Sequence, residues 1–240
     1  MNKNILVVDD EKEIVDAIEF YLKPEGYNIL KAYDGLEALE MLLENDIELI
    51  IMDVMMPNMD GLRTTMKIRE SKNIPIILLS AKSEDMDKIL GLNMGADDYI
   101  TKPFNPLELT ARVRSHLRRY INLGNITSEV ISTSSQDKLS ILRSGGLELN
   151  EETKIVSLDG DDVKVTPIEY KILYLLLSHQ GRVFSSHELY ERVWEEDPYN
   201  CEKTVAVHIR RIRQKIEIDS KNPKYLKVVW GIGYKIENFK

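Results

Sequence analysis

A single cysteine, Cys201, excludes an internal disulfide. The four histidines, His116, His179, His187 and His208, are scattered without zinc-ligand spacing, so no structural metal or redox centre is expected. No window approaches the roughly 18 continuous apolar residues of a membrane span. The first residues, MNKNILVVDD, also lack the cationic stretch and apolar core of a signal segment. These absences predict a cytoplasmic chain with no membrane partner, and no internal repeat is visible. What is present is 240 residues, 43% hydrophobic, enough for one large domain or two ordinary ones.

Taken whole, the net charge of -8 argues weakly against nucleic acid. The charge is unevenly divided, however. Residues 1–120 hold 15 Lys and Arg against 22 Asp and Glu, whereas residues 141–240 hold 16 of each. Within that neutral half, Lys203 to Lys235 carries nine cations against Glu217 and Asp219, a local net of +7. Such a cluster is the footprint of a polyanion-binding face.

The first half alternates apolar β-type runs (Asn4–Val8, Tyr27–Ala32, Ile47–Met52, Pro75–Ser80, Asp98–Thr101) with helical patterns near 11–23, 35–44, 60–70, 83–94 and 105–120. Strands too apolar to have a wet face, in five βα units, predict an α/β fold: a doubly wound five-stranded parallel sheet covered on both sides. Residues 121–142, rich in Ser and Thr around ITSEVISTSSQDKLS, read as a linker. Beyond them come short strands around LELNEETKIVSLDGDDVKV, helical patterns at 167–179, 185–195 and 202–216, and a hairpin around Gly231-Ile232-Gly233. This spells an α+β winged helix-turn-helix, giving domains at 1–120 and 143–240.

Chemistry gathers at the strand ends. Asp9 and Asp10 follow the first strand and Asp53 the third, and neighbouring strands would bring three mutually repelling carboxylates together. A divalent cation relieves that conflict, and oxygen ligands without His or Cys favour Mg²⁺. Ser80 and Lys102 end the fourth and fifth strands, adding a hydroxyl and a cation. These parts suit a phosphoryl group moving onto Asp53. Singly, Asp53 reads as a turn former, Asp9-Asp10 as a helix cap and Lys102 as a solvated loop cation; their coincidence favours function. Asp60 reads as a helix cap, and methionines 52, 55, 56 and 59 as packing and loop residues.

The segments ILVVDDE, LIIMDVMMPNMDG, PIILLSAK and GADDYITKPF resemble the receiver domain of two-component response regulators, a CheY-like fold. The resemblance implies that Asp53 accepts phosphate from a sensor histidine kinase. It also implies that Asp10, Asp53 and the Met55 main-chain oxygen bind Mg²⁺, with Asp9 in support. Lys102 would pair with the phosphate, Ser80 would move to contact it, and Tyr99 would follow inward as an aromatic switch. Thr is commoner than Ser at position 80, and Lys102-Pro103 matches the family's cis peptide. Lys88, Asp97, Asp98, Glu108, Arg112 and Arg114 form a charge-rich face that a solvated surface explains equally well. Similarity to the OmpR/PhoB branch implies pairing across a two-fold homodimer: Lys88 with Glu108, Asp98 with Arg112, Asp97 with Arg114.

In CEKTVAVHIRRIRQKI, Val205, Ile209, Ile212 and Ile216 form a core stripe, with Lys203, Val207, Arg210 and Gln214 opposite and Arg211 and Arg213 on the flanks. A solvated cationic face is the bland alternative, but no acid between Lys203 and Ile216 supplies the usual i,i+4 pairs. The segment resembles the recognition helix of OmpR/PhoB regulators. By position this implies base contact by Arg211 and phosphate contact by Lys203, His208, Arg210 and Arg213, although His208 lies near the core stripe. Trp194 matches a backbone-contacting Trp, with core burial an equal alternative. The family's wing carries Arg where this chain has Trp230, which cannot exploit a narrow minor groove as Arg does, so Lys227 or Lys235 becomes the substitute. TKPFNPLELTARV and NPKYLKVVWGIGYKIE are similar to the vancomycin-resistance (VanR) subgroup.

The sequence therefore reads as a phosphorylation-switched transcription factor using Mg²⁺, a histidine kinase, promoter DNA and a second copy of itself, with RNA polymerase a further candidate partner. Two rivals stand beside this reading. An aspartyl-phosphate hydrolase usually wants a second Asp two residues after the nucleophile, where this chain has Met55. A phosphorylation-independent DNA-binding regulator would be favoured by a missing acidic-site residue, and none is missing.

Overall fold

The computed structural model describes residues 3–81, 94–124, 141–195 and 201–239, with two compact units, Met1–Tyr120 and Ile121–Lys240. Residues 83–93 of the expected helix at 83–94, Lys88 among them, lie outside the described residues, as does most of the expected linker.

In the first unit, strands β1 (Lys3–Val8), β2 (Tyr27–Ala32), β3 (Leu49–Asp53), β4 (Ile76–Ala81) and β5 (Asp98–Lys102) form one sheet in the order β2-β1-β3-β4-β5. Every adjacent pair is parallel. Helices α1 (Lys12–Leu22), α2 (Gly35–Glu44), α3 (Gly61–Ser71) and α4 (Pro106–Gly124) connect and flank the strands. Ile5–Val8, Leu49–Met52 and Ile76–Leu79 are buried, which explains their unbroken apolar text. Each such side chain contributes about 1.5–3 kcal/mol of burial free energy. The strand order reverses between β1 and β3, so their carboxyl ends open a crevice where α/β folds place ligands.

Caps set the helix starts around this crevice. Asp34 accepts from the amides of Leu36 and Glu37 at the start of α2, and Asp60 accepts from Arg63 at the start of α3. Gly61 is required by close approach: a Cβ there would lie 2.1 Å from the Asp53 carbonyl oxygen. Helix α4 continues to Gly124, four residues beyond its expected end.

The second unit opens with an antiparallel sheet of β6 (Ile141–Ser144), β7 (Leu147–Asn150), β8 (Val156–Leu158) and β9 (Asp161–Val163). Helices α5 (Pro167–Ser178), α6 (Ser186–Trp194) and α7 (Glu202–Ile216) follow, and β10 (Leu226–Val229) and β11 (Gly233–Ile236) close the chain as a hairpin. A Thr166–Glu169 capping box with Pro167 in the first turn starts α5. The α7 stripe Val205, Ile209, Ile212 and Ile216 enters the core with Phe184, Tyr190 and Trp194. This is the winged helix-turn-helix arrangement. No helix among the described residues is long and apolar enough to cross a membrane.

Candidate functional site

Adjacent β1 and β3, in register with Val8 beside Met52, deliver Asp9 and Asp53 to one edge. One carboxylate oxygen from each of Asp9, Asp10 and Asp53 lies within 4.8 Å of the others. Lys102, at the end of β5, places Nζ 2.7 Å from Asp9 Oδ2 and 2.8 Å from Asp53 Oδ1. Asp53 is only 5% exposed. Burial therefore raises its carboxyl pKa, with Lys102 opposing and Asp9 adding to the rise. Burial works against the Lys102 ammonium as well, yet its bonds to Asp53 and Asp9 prevail and raise its pKa.

The surrounding groups hold this arrangement. Asp53 Oδ2 accepts from the Met55 amide at 2.9 Å, Asp9 Oδ1 accepts from the Glu11 amide at 3.0 Å, and Lys102-Pro103 is a cis peptide. Asp9 thus caps the turn and faces the site at once. Ser80, next to last in β4, is a buried hydroxyl with no hydrogen-bond partner among the described residues. Tyr99 lies half-buried on β5, its register partner being Leu78. One lysine leaves two of the three carboxylate charges uncompensated. An all-oxygen donor set with that deficit and an orphaned hydroxyl fits a hard divalent cation such as Mg²⁺ with a phosphoryl group.

In the second unit, α7 presents Lys203, Ala206, Arg210 and Gln214 to solvent. Arg211 is not among them. It is 6% exposed and lies 3.1 Å from the buried Glu169 of α5, while Lys215 approaches the same carboxylate at 2.6 Å. The base-reading role implied for Arg211 is therefore corrected: a buried carboxylate draws it into the domain. His208 and Trp194 are fully buried, with rings packed edge to face at 5.3 Å, so core packing replaces the DNA contacts implied for both. Trp194 also stacks on Tyr190 at 4.8 Å. Val207, expected opposite the core, is buried too. Arg213 is half-buried and donates from Nε to the Leu226 carbonyl, tying α7 to β10.

At the hairpin tip, Trp230 is 88% and Ile232 62% exposed. Lys227 and Lys235 face each other across the hairpin base. Lys227 donates to the Pro223 carbonyl, and Lys235 pairs with Glu237 at 2.8 Å.

Comparison with known proteins decides the family. The response regulator receiver domain matches residues 5–114, and the family described as transcriptional regulatory protein, C terminal, matches residues 160–236. The chain is 44% identical over 238 residues to the regulatory protein VanRc of Enterococcus gallinarum, covering 99% of this chain and 100% of that one. It is 42% identical, with the same coverage, to the regulatory protein VanR of Enterococcus faecium. Among solved structures, the Thermotoga maritima response regulator DrrB, an OmpR/PhoB homolog, is 31% identical, with TM-score 0.50 and coverage of 99% and 100%. The chain belongs to the OmpR/PhoB family of response regulators.

This response regulator joins a receiver to a DNA-binding transcriptional regulatory domain, and its likeness to VanR-type regulators spans both. On its charge-rich receiver face, the described groups expected to pair between copies, Asp97, Asp98, Glu108, Arg112 and Arg114, have in-chain partners. Asp98 is buried with Arg112 at 2.8 Å and His116 at 3.2 Å, and Arg112 also reaches Glu108 at 3.0 Å. Asp97 is buried against Arg69 at 2.6 Å, and Arg114 meets Glu25 at 2.5 Å. Among the described residues, exposed charge on this face is therefore carried by Glu108 and Arg114 rather than by Asp97 and Asp98.

One organising residue was missed in the sequence. Glu169 accepts from the Thr166 amide and faces Arg211 and Lys215 with its two oxygens. Its signal was legible as the capping-box text Thr166-Pro-Ile-Glu169.

Proposed function

We propose that Asp53 accepts a phosphoryl group from a sensor histidine kinase and that this promotes homodimerisation and promoter binding. The single observation that supports it best is the Lys102 ammonium bridging Asp9 and Asp53 at a buried strand end. An Asp53 oxygen attacks phosphorus, the P–N bond to the kinase histidine breaks, and that histidine regains a proton. Lys102 faces the developing negative charge, and Ser80 supplies the hydroxyl its burial leaves unpartnered. Asp10, Asp53 and the Met55 main-chain oxygen would hold Mg²⁺, with Asp9 supporting, and the bound ion would neutralise phosphoryl oxygens. Tyr99, on the strand beside Ser80, is the element that transmits occupancy.

In this reading residues 1–120 form the receiver, 121–142 the connection and 143–240 the DNA-binding domain. The receiver face carrying Lys88, Glu108, Arg112 and Arg114 joins two copies, Asp97 and Asp98 exchanging in-chain partners for those of the second copy. Lys203 and Arg210 face DNA from α7, with Arg213, Lys227 and Lys235 behind them and Trp230 at the wing tip. Recruitment of RNA polymerase follows as the output. Light scattering with and without beryllium fluoride and Mg²⁺ tests the proposal. Wild type becoming dimeric while Asp53→Ala stays monomeric supports it; wild type unchanged overturns the switch.

A further inference from the structure

The second unit gathers a group of metal ligands that has no part in the reading above. His187, in the first turn of α6, and Cys201 and Glu202, at the start of α7, each place one ligand atom within 4.8 Å of the other two. His187 Nε2 already lies 3.4 Å from Glu202 Oε1. Cys201 occupies the N-cap position of α7 yet makes no side-chain cap hydrogen bond there. Imidazole, thiolate and carboxylate are the donors of zinc sites, and hard cations such as Mg²⁺ do not select sulfur. Tetrahedral zinc with ordinary bond lengths needs donors about 3.4–3.7 Å apart, so closing from 4.8 Å asks for modest rotation of side chains. His187 and Glu202 are exposed and free to make that rotation.

We propose that His187, Cys201 and Glu202 form a site for a borderline divalent cation of the Zn²⁺ class. Sulfur ligates as the thiolate, which the bound cation itself would create at Cys201. As the sulfur–metal bond forms, the thiol proton passes to solvent, so affinity rises with pH. The local net charge goes from -1, for carboxylate and thiol, to zero. The ion would clamp the start of α6 to the start of α7, immediately before Lys203.

Cobalt titration of the full chain in excess Mg²⁺ tests this, because Mg²⁺ occupies the all-oxygen site and only sulfur ligation gives a thiolate-to-cobalt absorption band. The expected result is a band that saturates at one equivalent, is displaced by Zn²⁺ and disappears in Cys201→Ser. His187→Ala changes an exposed side chain and leaves the core intact; it should weaken binding by about tenfold or more. A wild type without the band, or a His187→Ala protein that binds cobalt as tightly as wild type, overturns the site.

Discussion

Arg211 and Glu169 form an ion pair sealed inside the second unit, 3.1 Å apart, and the carboxylate is shared with Lys215 and the Thr166 amide. Removing one partner of such a group strands the other's charge where water cannot reach it. Glu169→Gln should therefore cost about 3–5 kcal/mol of stability. Arg211→Ala should destabilise in the same way while leaving the sequence preference of the folded protein unchanged. Both tryptophans lie in this unit, so urea unfolding followed by tryptophan fluorescence reads it directly. An Arg211→Ala protein of normal stability with relaxed sequence preference would restore the base-reading role.

That pair also marks where sequence reading stops. The core stripe of α7 was legible from a 3.6-residue period, and the strand ends carrying Asp9, Asp53, Ser80 and Lys102 from apolar runs broken by charge. Arg211, on the stripe's flank, can turn in or out. A buried acid on a helix 42 positions earlier decides, and periodicity within α7 holds no record of it. Trp194 was balanced between core and DNA, and His208 lay near the edge of the core stripe, for the same reason. Likewise, His187 and Cys201 are 14 residues apart, outside any ligand spacing read along a chain, and only the start-to-start approach of α6 and α7 brings them together.

Lys203 and Arg210 are exposed to solvent on α7. Each alanine substitution should leave stability within about 0.5 kcal/mol. Binding to specific and random duplexes should weaken alike, with the slope of log affinity against log salt falling by about one per residue. Fluorescence anisotropy across a salt series reads both quantities. An unchanged slope would remove that residue from the phosphate-contacting set.

In the receiver, Lys102→Ala removes the only cation found between Asp9 and Asp53 among the described residues. Phosphoryl uptake at Asp53, followed by intact-mass spectrometry with a small phosphodonor, should fall at least tenfold for a loss of roughly 1.4 kcal/mol or more in transition-state stabilisation. Ser80→Ala should keep uptake measurable but lose the dimerisation that follows. Full dimerisation in Ser80→Ala would sever the hydroxyl from the switch.

Asp98 sets an acid limit on the same domain. Burial alone would raise its carboxyl, but Arg112 and His116 outweigh that and hold it well below the usual carboxylate range. Its folded pKa is thus lower than the unfolded value of about 3.9, so the unfolded chain binds more protons as pH falls. The stabilisation is complete at neutral pH and drains away below about pH 5. Asp98→Asn should lower stability at pH 7 yet show a shallower loss on acidification, measured by circular dichroism in urea. Parallel acid profiles for the two proteins would assign the acid sensitivity elsewhere.

The wing offers the sharpest separation of charge from contact. Trp230 sits at the hairpin tip beside Gly231, whose φ of 75° makes the turn, and almost none of its ring is covered. An indole held in water there has no folding role, so Trp230→Ala should leave the unfolding midpoint unchanged. Aromatic contact with a base is worth about 1–3 kcal/mol, and apolar side chains can wedge between base steps from the minor groove. The substitution should therefore lower DNA affinity by about tenfold while leaving the salt slope at its wild-type value, because no cation is lost. This is the opposite signature to Lys203→Ala. Trp230 fluorescence should also change on duplex binding, with Trp194 remaining a silent background inside the core. If Trp230→Ala binds duplexes with wild-type affinity, or its loss follows the salt slope, the tip does not touch bases and the hairpin contributes only through Lys227 and Lys235.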